Sequence, residues 1–360
     1  MKKRKMYLTL QNGDVFQGYA FGAEGEITGE LVFSTGMVGY IETLTDPSNY
    51  GQIVVQTFPL IGNYGMMRTD VESKKAWVSA YIVREICDTP SNFRLDGDLE
   101  SYLKEQNVIG ICGVDTRQLT KILRENGVMN ARVSKKPLTE EEIAAIGSFK
   151  IENAVATVAP VEKAVYGNAD AEYTVALWNF GSKNSTVNNL VERGCKVISM
   201  PATATAAEIL AENVDGVVLG DGPGDPTENT AIIEQVKLLL GKKPVYATGL
   251  GHQLVALALG AKTSKQKYGH RGGNQPVKCL TCGKVYISTQ NHGYEVDSSS
   301  VKVGKIKFVN VNDNSCEGID YDELNAFTTQ FTPESCSAGN VENPLYKRFF
   351  AMMKKEKENA

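Results

Sequence analysis

The sequence predicts an α/β protein with two domains, and three observations support this fold class. The chain has 360 residues, which is enough for two hydrophobic cores of ordinary size. From Tyr173 onward, apolar strands alternate with helical segments, a pattern typical of an open, mostly parallel sheet with helices on both faces. Residues 151–172 have no sustained period. We therefore place a first domain at 1–150, an extended linker at 151–172 and a second domain at 173–360.

Turn and cap signals in the first domain indicate a mixture of strands and helices. Asn12 and Gly13 lie between apolar runs and form the dipeptide that closes a two-residue β-hairpin. Asp115 precedes apolar residues at helical spacing, which predicts a helix. Thr139 and Glu142 form a capping box that starts another helix. The first domain is therefore predicted to be mixed β/α.

The second domain has the signals expected of strands joined by crossover helices. Thr205 and Glu208 form a capping box for one such helix. In open sheets of this kind, ligands bind beyond the carboxyl ends of the strands. The apolar strands are predicted at residues 175–178, 196–200, 216–219, 244–248 and 326–331.

Composition excludes several classes of function. The formal net charge is -4, with 42% hydrophobic and 22% charged residues, as in average soluble proteins. The basic run at residues 2–5 is short and terminal, so we interpret it as a solvated tail and predict no nucleic-acid binding. No apolar segment is long enough for a signal peptide or a membrane span. A cytoplasmic protein is expected, and its seven cysteines suit a reducing compartment.

One cysteine pair deserves separate consideration. Cys279 and Cys282 form a C-x-x-C motif, but no second pair and no nearby histidine completes four zinc ligands. A redox motif of this spacing is expected at the start of a helix. We therefore predict a polar turn before a strand at 284–288, and no metal.

Three polar segments follow predicted strands. Residues 220–226 are rich in glycine, which lets backbone N–H groups approach a ligand closely, although a plain tight turn explains the same pattern. Residues 249–253 lie between a buried strand and a helix, which indicates a sharp elbow. The third segment is the loop predicted at 290–294.

In this order, the three segments resemble the class I glutamine amidotransferase domain. The adjoining segment GAKTSKQKYGHRGGNQPV resembles the small subunit of carbamoyl phosphate synthetase in particular. The first domain resembles the amino-terminal domain of that subunit in GELVFSTGMVGYIETLTDPSNYGQIVVQTFPLIGNYG, PSNFR, LESYL and GVDTRQLTKILRENG. The resemblance therefore extends over nearly the whole chain.

This resemblance implies both a reaction and a partner. The family hydrolyses glutamine to glutamate and ammonia, and a large subunit combines the ammonia with carboxy phosphate made from bicarbonate and ATP. A large-subunit partner is therefore expected, with ATP, magnesium and bicarbonate on that subunit and no cofactor or metal in this chain. The absence of a phosphate-binding P-loop motif from the sequence agrees with this division.

The resemblance also implies a glutamine pocket. Backbone N–H groups of Gly224 and Leu250 would face the developing oxyanion, and Gln253 with the third segment would hold the amino-acid end of glutamine. Each residue taken separately is equally well explained as a turn glycine or a surface amide. The complete set is Ser48, Gly222, Gly224, Leu250, Gln253, Asn291, Gly293 and Tyr294.

The two positions that carry the chemistry depart from the family pattern. The family elbow reads G-x-C-x-G, with a thiolate at the start of the helix, and here Gly249 stands at the cysteine position. The family base lies in an H-P-E segment, which here reads Thr332-Pro333-Glu334. A threonine does not titrate near neutral pH, so it cannot replace the imidazole, and Glu334 then has no base to orient. The sequence therefore predicts a vacant catalytic pair and an inactive glutaminase.

Other departures and possible replacements point the same way. Asp221 and the segment 178–184 also differ from the family pattern, which favours a natural divergence and argues against retained glutamine binding. All three histidines occupy motif positions where the family does not use them as the base, and Cys336 lies away from the elbow. These histidines are His252, His270 and His292.

Three hypotheses follow from the sequence. The first is a carbamoyl phosphate synthetase small subunit with a structural or regulatory role, serving a large subunit that uses free ammonia. The second is a pseudoenzyme that binds glutamine alone, as a sensor. The third is an active amidotransferase with an unrecognised nucleophile. The sequence leaves open whether the pathway is arginine or pyrimidine synthesis, and it does not give the oligomeric state.

Overall fold

A computed structural model describes residues 4–333 and 343–359 of the chain. The described residues form two compact units: unit 1 comprises residues 4–154 and 267–272, and unit 2 comprises 155–266, 273–333 and 343–359. The predicted α/β fold class is confirmed by this architecture. The segment predicted as an extended linker, 151–172, contains a short helix at Ala154–Val158 and a strand at Ala164–Tyr166.

Unit 1 is built around a closed β-barrel with strand order β1-β2-β8-β6-β4-β3-β9, and β5 pairs separately with β7. Its strands are β1 Lys5–Leu10, β2 Val15–Gly22, β3 Ile27–Ser34, β4 Gln52–Gln56, β5 Leu60–Ile61, β6 Ala80–Ile82, β7 Glu85–Ile86, β8 Ile109–Cys112 and β9 Met129–Ser134. Its helices are α1 Tyr40–Thr45, α2 Leu99–Glu105, α3 Thr116–Asn126 and α4 Glu140–Ile146.

Local signals account for several elements of unit 1. β1 and β2 form the predicted antiparallel hairpin, and Gly13 in its turn adopts φ 91°. The Asp115 side chain accepts the backbone N–H of Gln118 at 3.0 Å, which caps α3. The predicted capping box of Thr139 is present at the start of α4. These three predictions are confirmed.

Unit 2 contains a sheet of ten strands among the described residues, in the order β10-β12-β11-β13-β14-β19-β18-β16-β15-β17. Residues 267–272, in the middle of β15, belong to unit 1. The strands are β10 Ala164–Tyr166, β11 Tyr173–Trp178, β12 Cys195–Met200, β13 Gly216–Leu219, β14 Val245–Thr248, β15 Thr263–Cys279, β16 Val285–Val296, β17 Lys305–Asn310, β18 Cys316–Tyr321 and β19 Ala326–Thr329. The helices are α5 Ala154–Val158, α6 Asn184–Glu192, α7 Ala206–Ala211, α8 Thr230–Leu239, α9 Leu250–Ala258 and α10 Pro344–Asn359.

The centre of this sheet is parallel and buried on both faces. β12, β11, β13, β14 and β19 pair in parallel, as the alternation of strands and helices predicts. Along β11, Ala176 and Trp178 pack into one apolar cluster while Val175 and Leu177 pack into the other. Successive side chains point to opposite faces of a strand, so a continuous apolar run is expected where helices cover both faces.

One predicted loop is wrong. Residues 290–294 lie inside β16, which also contains most of the strand predicted at 284–288. Asn291 and Gly293 are residues that favour turns, but β16 lies between β18 and β15 in the sheet, and pairing with neighbours overrides local propensity. Among residues 4–333 and 343–359, no helix is both long and apolar enough to cross a membrane.

Candidate active site

The predicted strand-to-helix elbow is present at residue 249. β14 ends at Thr248 and α9 begins at Leu250, so the chain reverses within one residue. Gly249 adopts φ 51° and ψ -114°, a region that residues with a side chain rarely occupy. Its N–H donates to the Thr329 carbonyl oxygen at 3.0 Å, which ties the elbow to the end of β19. The elbow is thus fixed by backbone geometry at the carboxyl edge of the sheet.

Asp221 fills the space in front of this elbow. β13 and β14 are parallel neighbours in which Leu219 pairs with Ala247, so Asp221 and Gly249 each lie two residues beyond a paired position. Asp221 Oδ1 accepts the N–H of Leu250 at 3.0 Å and the N–H of Gly222 at 2.8 Å. A Cβ atom on residue 249 would overlap the Asp221 carboxylate. The site therefore has no room for a side chain at position 249 while Asp221 stays in place.

The position of this carboxylate has a chemical meaning. In an acyl-transfer site, backbone N–H groups aimed at one point stabilise the oxyanion of the tetrahedral intermediate. The N–H of Leu250, which the resemblance implies for this role, here donates to the side chain of Asp221. The start of α9 also favours negative charge, because its first N–H groups have no partner within the helix. Asp221 thus accepts the N–H group that the resemblance implies for stabilising an oxyanion.

Behind the elbow, the first turn of α9 is buried and bonded to the sheet. Gln253 is only 3% exposed, and its side-chain NH₂ donates to the Tyr294 carbonyl oxygen and to Gln330 Oε1, both at 2.9 Å. His252 Nδ1 lies 2.7 Å from Thr328 Oγ1. Burial lowers the pKa of His252 to about 3, so the imidazole is neutral at physiological pH. The two hydrogen bonds that Gln253 donates use both N–H groups of its amide within the protein.

Thr332, which the resemblance implies at the position of the family base, lies three residues beyond the end of β19. Thr332 Oγ1 accepts a hydrogen bond from Lys183 Nζ at 3.2 Å, and the Thr332 N–H donates to the Thr289 carbonyl oxygen at 3.1 Å. The Lys183 ammonium group has no acceptor, and the Thr332 hydroxyl group is not a base near neutral pH. Neither group can therefore take a proton from a nucleophile. Glu334 and Cys336 lie outside the described residues.

Five other residues that the resemblance implies for glutamine binding lie in unit 2. Asn291, Gly293 and Tyr294 lie half-buried in β16, beside the contact that Tyr294 makes with Gln253. Gly222 and Gly224 lie in the loop after β13, and Gly224 adopts φ 89°.

Ser48 belongs to unit 1. It lies in a short 3-10 helix, Pro47–Asn49, and its N–H donates to Asp46 Oδ1 at 2.9 Å. The Ser48 hydroxyl group is buried without a hydrogen-bond partner in the described part of the chain.

Sequence reasoning missed two features of this site. It identified Asp221 as a departure but not as the group that fills the elbow, and it gave Lys183 no role. The parallel pairing of β13 with β14 was the available signal for Asp221, since equal spacing beyond neighbouring strands brings the two loops together. No comparable signal connects Lys183 with Thr332, which lie 149 residues apart in the chain.

Comparisons with known proteins agree with this architecture. Residues 8–133 match the family model "Carbamoyl-phosphate synthase small chain, CPSase domain", and residues 176–352 match "Glutamine amidotransferase class-I". The chain is 44% identical over 346 residues to the carbamoyl phosphate synthase small chain of Clostridium perfringens, covering 96% of this chain and 98% of that protein.

Other relatives are similar over nearly their whole length. The small chain of Syntrophotalea carbinolica is 41% identical, with 99% of each chain covered. The pyrimidine-specific small chain of Bacillus subtilis is 43% identical, with 98% of this chain and 96% of that protein covered. By the two matched domains and by these identities, the chain belongs to the carbamoyl phosphate synthase small chain family.

Proposed function

We propose that this chain is a carbamoyl phosphate synthase small subunit whose glutaminase is silent. In this role it assembles with a large subunit that binds ATP, magnesium and bicarbonate and draws ammonia from solution. The small subunit then contributes structure or regulation, as a cytoplasmic pseudoenzyme, to arginine or pyrimidine synthesis. Membership of the small chain family supports the large-subunit partner.

One observation carries the proposal of a silent glutaminase: the Asp221 carboxylate accepts the N–H of Leu250 where an oxyanion would be stabilised. A negative charge at this point repels the charge that develops on a substrate carbonyl oxygen. The carboxylate also overlaps the place that a Cβ atom on residue 249 would take. The elbow thus lacks a nucleophile, and the group in front of it opposes the reaction.

The base position supports the same conclusion. Thr332 receives a hydrogen bond from Lys183, and neither group is free to accept a proton at neutral pH. Loss of the nucleophile alone costs on the order of 10⁶ in turnover in another triad enzyme. Glutamine hydrolysis by this chain should therefore be indistinguishable from background.

A direct test is to purify the chain in complex with its large subunit and to measure carbamoyl phosphate formation from glutamine and from ammonium chloride. The ammonia reaction shows that the large subunit is active, so it serves as the internal control. We expect activity with ammonium chloride and none above background with glutamine. Equal rates from the two nitrogen donors would contradict the proposal.

Calorimetry distinguishes this role from that of a glutamine sensor. Because the Leu250 N–H and the Gln253 amide are both engaged by the protein, we expect no measurable heat when glutamine is added to the chain alone. Saturable binding of glutamine by a chain that forms no complex with a large subunit would favour the sensor.

A further inference from the structure

A tight turn in unit 2 carries two cysteines that the proposed function does not use. Cys279 is the last residue of β15, and Cys282 lies in the turn before β16 begins at Val285. The polar turn predicted from the sequence is therefore present. Both cysteines are free thiols.

Hydrogen bonds hold this turn in one conformation. The Gly283 N–H donates to the Cys279 carbonyl oxygen at 2.9 Å, and the Cys279 N–H donates to the Lys284 carbonyl oxygen at 2.8 Å. On the other side, the Leu280 N–H donates to the Lys307 carbonyl oxygen of β17 at 2.8 Å. Hydrogen bonds within the turn and to a neighbouring strand therefore fix the backbone positions of both cysteines.

Two polar groups lie close to the sulfur of Cys279. The Cys282 N–H donates to Cys279 Sγ at 3.4 Å, and Thr281 Oγ1 lies 3.3 Å from the same sulfur. The hydrogen bond from the Cys282 N–H favours the thiolate form of Cys279, which is the form that binds metals. Because the N–H of Cys282 reaches the sulfur of Cys279, the two cysteines are adjacent within the turn.

The two cysteines differ in exposure in a way that suits a surface site. Cys279 is 4% exposed and packs in an apolar cluster with Val277 and Phe308. Cys282 is exposed. Gly283 adopts φ 72°, and a Cβ atom there would meet no other atom within 4 Å. An ion can therefore approach Cys282 from solvent, whereas the Cys279 side chain is buried beside it.

We propose that Cys279 and Cys282 form a binding site for a soft metal ion, with the cuprous ion as its natural fit. Thiolates are the ligands that cuprous ions prefer, and two thiolates satisfy a linear, two-coordinate cuprous ion. A structural zinc ion needs four ligands. Within residues 4–333 and 343–359, no third cysteine, histidine or carboxylate has its ligand atom within 4.8 Å of both sulfurs. Binding replaces the two thiol protons by one metal ion, with no change of oxidation state.

The test is an anaerobic competition for cuprous ion between the reduced full-length chain and a coloured chelator such as bicinchoninate. We expect the chain to remove a single cuprous ion from the chelator. Cys282→Ser should weaken binding by more than the roughly 10–100-fold that loss of an outer-shell partner costs, because it removes a ligand. Cys279→Ser should do the same.

Cys87→Ser is the matched control, since Cys87 is a free, half-buried thiol elsewhere in the chain. It should leave cuprous binding unchanged. Failure of the wild-type chain to compete with the chelator, or an equal loss in Cys87→Ser, would overturn the proposal. Cys282 is exposed, so Cys282→Ser still decides the outcome if Cys279→Ser fails to fold.

Discussion

The two sides of the elbow at residue 249 differ sharply in what they retain. Behind the elbow, His252 and Gln253 are buried and hydrogen-bonded to the sheet. In front of it, Gly249 offers no side chain, and Asp221 accepts the N–H of Leu250, the group that the resemblance implies for an oxyanion. The elbow is therefore stabilised by its interior contacts and by its backbone conformation, neither of which requires a side chain at position 249.

Adding a side chain at the elbow should be the most damaging change. Gly249→Ala would place a Cβ atom against Asp221 and at a positive φ. We expect a loss of about 2–6 kcal/mol in the free energy of unfolding, from roughly 1–3 kcal/mol of backbone strain and about 1–3 kcal/mol for the two hydrogen bonds that Asp221 loses when its carboxylate shifts. Urea unfolding monitored by circular dichroism measures this loss.

Gly260→Ala is the matched control. Gly260 also has a positive φ, of 85°, but a Cβ atom there would meet nothing within 4 Å. It should lose only about 1–2 kcal/mol, the cost of the left-handed conformation. If the two variants lose equal stability, Asp221 does not fill the elbow as described.

Burial of His252 should make the stability of the protein depend on pH. Burial lowers the pKa of His252 from 6.5 to about 3, so in this pH range the unfolded chain binds a proton that the folded chain does not. Stability should therefore fall as the pH falls below the unfolded value, by about 1.4 kcal/mol per pH unit between roughly pH 6 and pH 4 from this group.

Denaturant unfolding of the wild type and of His252→Gln at several pH values isolates this contribution. The difference in stability between the two proteins should shrink as the pH is lowered, because only the wild type loses stability through this imidazole. A difference that stays constant with pH would show that the pKa of His252 is not lowered in the folded protein.

The contact between Lys183 and Thr332 should have the smallest effect. Thr332→Val keeps the shape of the side chain but removes the acceptor for Lys183 Nζ, so we expect a loss of about 0.5–1.5 kcal/mol. A double-mutant cycle with Lys183→Met measures the interaction itself. Coupling near zero in that cycle would show that the contact does not stabilise the site.

The sequence was informative where structure depends on local patterns. β13 is at the predicted residues, and the boundaries of β11 and β14 are close to the predicted ones, because buried parallel strands are apolar runs between clear turn signals. The capping boxes of Thr139 and Thr205 were equally clear, since each depends on residues within one turn of helix.

Features that depend on distant pairing could not be predicted in this way. The closed barrel of unit 1 requires β1 to pair with β9, which lies more than a hundred residues further along the chain. The strand at 290–294 depends on its neighbours in the sheet and not on its own residues. At the site, the vacant position of Gly249 was evident from the sequence, but its filling by Asp221 depends on the register of two strands.

The most direct measurement of the role of Asp221 compares two reconstructed sites. Gly249→Cys with Thr332→His restores the nucleophile and base types, and the second protein carries Asp221→Ala in addition. Removal of the carboxylate frees the Leu250 N–H, so the protein with three changes should hydrolyse glutamine about 10²–10³ times faster than the protein with two, the usual effect of one oxyanion donor. Equal glutaminase rates in the two proteins, both folded by circular dichroism, would contradict a blocking role for Asp221.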